Sequence, residues 1–134
     1  YTRSIYLDRG NPREAVKVLK EGTDYLKRGF NLAIFPEGTR SKSGVMGEFK
    51  HGTLKFAQKG KVSIIPVTVD GGYKVYEEKG SIQKATVNIT IHPEVPLGQM
   101  SKAEQEAAFA KVEQTIKNAL SEPQVAIAEN ASTN

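Results

Sequence analysis

The sequence predicts an α/β domain, with a mostly parallel or mixed central sheet flanked by helices. Three observations carry that prediction. A helix pattern marked at both ends over residues 11–29 lies between two apolar runs of strand length. A β-branched run, Val62 to Val69, follows further on, and an alternating run ends at Ile91. A capping box at Ser101 then opens a long helical pattern.

In chain order, Arg3 to Leu7 reads as a strand that ends in Asp8-Arg9-Gly10. Asn11-Pro12-Arg13-Glu14 starts a helix, with Asn as N-cap, Pro at the first helical position and Glu at the third. Ala15, Val16, Leu19, Tyr25 and Leu26 form its expected apolar face, and Gly29 ends it. The run Phe30–Phe35 reads as a buried strand, completing a βαβ unit with parallel neighbours and a right-handed crossover. Both strands would then end on one edge of the sheet, bringing Arg9 and Arg40 to one cleft.

The loop Phe35-Pro36-Glu37-Gly38-Thr39-Arg40 follows that strand. Pro36 cannot donate to a ladder, Gly38 permits positive φ or close backbone approach, and Arg40 offers a planar fork for phosphate or carboxylate. A tight turn with a surface Glu-Arg pair is the plainer alternative. For Arg9 the alternative is a surface Arg paired with Asp8, and for Glu37 a turn or capping carboxylate.

Lys50 to Lys59 reads as a short helix ending at Gly60, with Leu54, Phe56 and Ala57 apolar. Val62 to Val69 is expected to be a buried strand, with Pro66 marking an edge or bulge. Tyr73 to Gln83 is an irregular polar connection. In Ala85–Ile91 the side chains Val87, Ile89 and Ile91 alternate with Thr86, Asn88 and Thr90, a half-buried strand. The last helix carries Ala108, Val112, Ile116 and Leu120 on one face and is closed by Pro123. Residues 1–121 form one domain and 122–134 a disordered tail.

Composition narrows the function. The 134 residues contain no Cys, so there is no disulfide framework, thiolate metal site or Cys nucleophile. No apolar run is long enough to span a bilayer and no signal peptide is visible, so this piece is expected to be soluble; Tyr1, without a start Met, suggests a fragment. The net charge of +4 is unevenly placed: residues 1–61 hold 13 Lys/Arg against 6 Asp/Glu, and the remainder 6 against 9. The basic half contains Arg40, which favours an anionic substrate or membrane surface. Nucleic acid competes for such a half, but no nucleic-acid motif or basic run with interleaved aromatics occurs, and none is expected as a partner. Gly47 and Gly52 stand at Walker spacing without the Lys that must follow. Gly-x-Ser-x-Gly and Gly-x-Gly-x-x-Gly are both missing, and the acids are too scattered for a metal site.

Phe35-Pro36-Glu37-Gly38-Thr39-Arg40-Ser41 resembles the third sequence block of the glycerolipid (1-acyl-glycerol-3-phosphate, or lysophosphatidate) acyltransferases. Ile5-Tyr6-Leu7-Asp8-Arg9 resembles the second block and Ile65-Pro66-Val67-Thr68 the fourth. Glu48-Phe49-Lys50-His51-Gly52 is similar to the segment that follows the third. The resemblance covers residues 5–68 in the family's order. It implies a partial acyltransferase domain, the C-terminal portion, incomplete at its N-terminus. The implied reaction moves a fatty acyl group from a coenzyme A or acyl-carrier-protein thioester to the hydroxyl of lysophosphatidate or a related glycerol phosphate. Arg9, Glu37, Gly38, Thr39 and Arg40 become the implied acceptor site, with Arg9 and Arg40 on the phosphate and backbone N–H groups around Gly38 and Thr39 assisting. Glu37 would position Arg40 or the acceptor. No bound cofactor or metal is implied. The full protein would work at the cytoplasmic face of a membrane.

The family's general base is a His in a His-x-x-x-x-Asp block. Here the fifth residue after His51 is Phe56, and after His92 it is Leu97, so no catalytic residue is assigned in this chain and the piece alone is expected to be inactive. His51 lacks an orienting acid in sequence, and His92 is expected to be structural or on the surface. The rival reading is a non-catalytic domain that binds anions or a membrane surface.

Overall fold

A computed structural model describes residue 5 and residues 11–121. The expected strand Arg3–Leu7, the residue Arg9, the closing Pro123 and the tail 122–134 lie outside the described residues, Ile5 apart. The elements in order are α1 (Pro12–Lys27), α2 (Leu54–Gly60), β1 (Val67–Asp70), β2 (Asn88–Ile91) and α3 (Lys102–Asn118), with short 3-10 turns at His51–Thr53, Gly72–Val75 and Leu97–Gln99. Helices flanking a small sheet agree with the predicted class for a partial domain.

Local chemistry sets the ends of α1. The Asn11 side chain accepts a hydrogen bond from the Arg13 N–H (3.0 Å), and Pro12 occupies the first turn. At the other end Gly29 turns to φ +85°, its N–H donating to Leu26 O (3.0 Å) and that of Phe30 to Tyr25 O (3.1 Å). This is a Schellman closure, and its usual hydrophobic contact is present as an edge-on Tyr25–Phe30 pair, 5.8 Å between ring centres. The buried side of α1 is Val18, Gly22 and Thr23, whereas Val16 is exposed. The expected apolar face is therefore corrected by part of a turn. The cause is close packing on α2: a Cβ at Gly22 would stand 2.6 Å from the Phe56 ring, and one at Gly60 3.0 Å from Leu26. The helices approach where the small residues are, and that contact sets the rotation of α1.

The core lies between α2, α3 and the Leu97 turn. Phe49, Leu54, Ala57, Leu97, Phe109 and Val112 are buried together, flanked by Val62, Ile64, Val95 and Ile116. The Phe49 and Phe109 rings meet at 5.9 Å. The helix Lys102–Asn118 has the expected face, joined by Phe109. Its capping box is complete: Ser101 N–H donates to Glu104 (2.7 Å) and Glu104 N–H to Ser101 Oγ (3.4 Å).

Two strand expectations are corrected. The strands β1 and β2 pair antiparallel, Val67 opposite Ile91 and Val69 opposite Ile89, with an isolated antiparallel bridge between Ile64 and Val95. Pro66 separates bridge from ladder, as a residue without an N–H should. The apolar side chains Val67, Val69, Ile89 and Ile91 share the sheet face turned away from α3 and are exposed, Ile91 at 72%. The covered face is the Thr68 face. Thr68 Oγ1 lies 2.8 Å from His92 Nε2 and 3.3 Å from Ile116 O on α3. A hydroxyl has one proton to give, so both bonds form when His92 Nε2 donates to Thr68 and Thr68 donates to the carbonyl. Burying Thr68 without these partners would be costly, so the bonds fix which face α3 covers. The second correction concerns Phe30–Phe35, which is largely exposed instead of buried, Phe35 at 78%, and joins no ladder with another described residue; its expected neighbour Arg3–Leu7 lies outside them, Ile5 apart. An apolar run becomes a strand only where a neighbour supplies ladder hydrogen bonds, and none does so among the described residues.

The caps of α3 carry a pH dependence. The hydrogen bonds that Glu104 accepts from the Ser101 side chain and backbone hold its carboxyl below the ordinary 4.5. A depressed carboxyl supports the fold above its unfolded pKa and loses that support as pH falls through the lower, folded value. Titration by carbon NMR is expected to place the Glu104 midpoint below 4.5, and Ser101→Ala to return it towards that value.

Candidate functional site

The loop after Phe35 is built around one carboxylate. Gly38 N–H donates to Phe35 O (3.1 Å), closing a turn with Pro36 at its second position, and Gly38 then takes φ +73°. The Glu37 side chain reaches across the loop to accept from Gly47 N–H at 2.7 Å. Lys50 N–H donates to Pro36 O (2.8 Å), and Ser41 Oγ to Val45 O (3.0 Å). Residues 36–50 therefore form a closed frame, pinned at both ends, with Thr39 and Arg40 exposed at its tip.

Beside the frame lies a cleft of about 1100 Å³. Phe30, Ile34 and Phe35 line one wall, Ile65 and Val67 the other, and the frame residues 36–41 also line it. An apolar cleft with a few polar groups at its rim is the usual form of a small-molecule site. Arg40 is 84% exposed, and its Nη1 stands 3.4 Å from Glu77 Oε1. A Cβ at Gly38 would touch the Lys50 stem at 3.6 Å, so that stem packs against the turn.

The structure thus brings Glu37, Gly38, Thr39 and Arg40 together on one rim, while Arg9 lies outside the described residues. Glu37 is the turn carboxylate of the plainer alternative, and its bond to Gly47 positions the loop that carries Arg40. The Gly38 N–H is engaged within the turn, which leaves the N–H groups of Thr39 and Arg40 without a protein partner among the described residues. Two contributors carried no local signal in the sequence. Glu77 pairs with Arg40 from 37 residues away, and the Tyr73 ring covers Gly44 so closely that a Cβ there would overlap it. The positive φ of Gly44 (+74°) is the one trace that a glycine reading could have followed.

Neither histidine belongs to the cleft. His51 Nδ1 stands 3.7 Å from Glu106 Oε2 on the exposed side of α3, so an acid does face it, supplied by a distant helix. His92 is the structural partner of Thr68. Among the described residues no group of three or more His, Asp or Glu is placed to hold a metal ion, and no helix is long and apolar enough to cross a membrane.

The family model described as Acyltransferase matches residues 1–70, more than half of the chain. The chain belongs to the acyltransferase family. It is 40% identical over 83 residues to a probable 1-acyl-sn-glycerol-3-phosphate acyltransferase of Mycoplasma pneumoniae, covering 62% of this chain and 31% of that protein. The chloroplastic 1-acyl-sn-glycerol-3-phosphate acyltransferase LPAT1 of Arabidopsis thaliana is 38% identical over 90 residues, 66% of this chain and 25% of its own length. Among solved structures, the 1-acyl-sn-glycerophosphate (LPA) acyltransferase PlsC from Thermotoga maritima superimposes with a TM-score of 0.68 at 32% identity, covering 77% of this chain and 44% of that one. This acyltransferase chain therefore spans about a quarter to a third of the length of these curated relatives.

The Glu37 assignment has a direct test in amide exchange. Glu37→Ala is expected to raise the exchange rate of the Gly47 amide by about 2- to 10-fold, the range of one ordinary solvent-exposed hydrogen bond, while Glu37→Gln, which still offers a carbonyl, retains most of the protection.

Proposed function

We propose that this chain forms the acceptor-phosphate portion of an O-acyltransferase. The reaction moves a fatty acyl group from a coenzyme A or acyl-carrier-protein thioester to the hydroxyl of lysophosphatidate or a related glycerol phosphate. The observation that carries this reading is the position of Arg40: a guanidinium with one edge unpaired among the described residues, held by a closed frame at the rim of an apolar cleft. A cation beside an apolar cavity suits a molecule with a phosphate at one end and hydrocarbon at the other. The relatives, named as 1-acyl-sn-glycerol-3-phosphate acyltransferases, support the same acceptor class.

In the proposed step the acceptor hydroxyl oxygen attacks the thioester carbonyl. A C–O bond forms, the C–S bond breaks, and the hydroxyl proton passes to a general base that returns it to the departing thiolate, which leaves as the thiol. This sequence has no His-x-x-x-x-Asp, and its two histidines stand outside the cleft, so the base is assigned to residues that this chain does not contain. The chain on its own is accordingly proposed to be inactive. Its part is orientation: Arg40 with the N–H groups of Thr39 and Arg40, which have no partner among the described residues, fixes the phosphate, and with it the distance from phosphate to hydroxyl. The whole protein is proposed to work at a membrane surface, because its lipid substrates partition there.

In the whole enzyme, Arg40→Ala removes charge-assisted hydrogen bonds worth about 1.5–3 kcal/mol. Steady-state kinetics are expected to show a 10- to 100-fold rise in KM for the acceptor and little change for the thioester. Weakened thioester binding with unchanged acceptor affinity would overturn the assignment.

A further inference from the structure

Resting on that reading of Arg40, we propose that Glu77 is the residue that positions it, holding Nη1 so that the remaining edge of the guanidinium is presented to the acceptor phosphate. The pairing is one-sided in two respects. Arg40 is 84% exposed while the Glu77 side chain is only 20% exposed, so the acid is the more buried partner and the Arg the more exposed one. The contact uses a single nitrogen, Nη1 at 3.4 Å, and among the described residues Nε and Nη2 have no partner. Those two nitrogens form the side-on fork that binds phosphate or carboxylate with two parallel hydrogen bonds.

The segment bearing Glu77 is fastened by its own backbone. Lys74 N–H donates to Gly71 O, Glu78 N–H to Tyr73 O (3.1 Å), Gly80 N–H to Tyr76 O (2.8 Å) and Gln83 N–H to Val75 O (2.7 Å). Tyr73 then seats the segment on the Arg40 frame, its ring lying over Gly44, where no side chain is present to lift it. Glu77 thus approaches Arg40 from a second segment, fastened by its own hydrogen bonds and seated through Tyr73 on the loop that Glu37 closes. A long side chain free at one end would lose much rotamer freedom on meeting a phosphate, and a prior anchor reduces that loss.

The test uses the whole protein that carries this chain, assayed with lysophosphatidate and an acyl-coenzyme A, and compares wild type, Glu77→Gln, Glu77→Asp, Arg40→Ala and the Glu77→Gln/Arg40→Ala double variant. Glu77→Gln is expected to raise KM for the acceptor about 2- to 10-fold, the range of one ordinary hydrogen bond, with kcat and the thioester KM within twofold. Glu77→Asp should recover part of the loss, and Glu77→Gln should have no further effect once Arg40 is Ala. A lower acceptor KM in Glu77→Gln would mean that the acid competes with phosphate and would overturn the proposal. So would an effect that persists in the Arg40→Ala background, or an unchanged acceptor KM in Glu77→Gln. If Arg40→Ala itself leaves the acceptor KM unchanged, the phosphate reading of Arg40 fails first. If only Glu77→Gln is silent, the phosphate reading stands and the positioning role is lost.

Discussion

A 2.7 Å hydrogen bond from the Gly47 N–H to the Glu37 carboxylate holds the Arg40 loop of this molecule in shape. Exposed loops ordinarily sample many conformations, and a long Arg on such a loop would present its charge nowhere in particular. Here the bond ties the loop across ten residues, Pro36 is held to Lys50 behind it, and Gly38 supplies the positive φ that turns the chain. Because Phe49, at the end of the frame, and Leu54, just beyond it, belong to the buried core, the frame is fastened to that core. Arg40 acquires its place from that fastening, not from burial of its own.

The same economy of polar contacts orders the sheet. One buried hydroxyl, Thr68, links β1 to α3 through Ile116 O and to β2's end through His92. Ser121, past the end of α3, donates to Asp70 at the end of β1. These contacts assign the polar face of a short two-stranded ribbon to the helix and turn Val67, Val69, Ile89 and Ile91 outwards. A buried polar group must be satisfied, whereas an apolar side chain can be left exposed at a few kcal/mol, so the hydroxyl decides the orientation.

The sequence disclosed what is local. Asn11-Pro12, the Gly29 closure and the Ser101–Glu104 box are read within one turn of the chain, and each has its hydrogen bonds in place. Gly38 and Pro66 behave as their backbone chemistry requires. What could not be read depends on distant partners. The rotation of α1 follows from Phe56 meeting Gly22, the covered face of β1 from Ile116, and the partner of Arg40 from Glu77. Period-two alternation marks which residues share a face but not which face is buried, and Ile89 and Ile91 fell on the open side for that reason. Glu37 was legible as either a ligand-positioning or a turn carboxylate, and the structure makes it the clamp of the turn.

A shallow groove at the C-terminal half of α1, where Lys17, Lys20 and Arg28 outnumber Glu21 and Asp24, is the competing place for an anion to settle. A nitrogen-15 NMR titration of this chain with glycerol 3-phosphate, run at two salt concentrations, separates the two. Recognition at the clamped loop predicts saturable shifts centred on the Thr39 and Arg40 amides and the Arg40 Nε, with Gly47 following through Glu37. Shifts confined to Lys17, Lys20 and Arg28, with the loop silent, would contradict it.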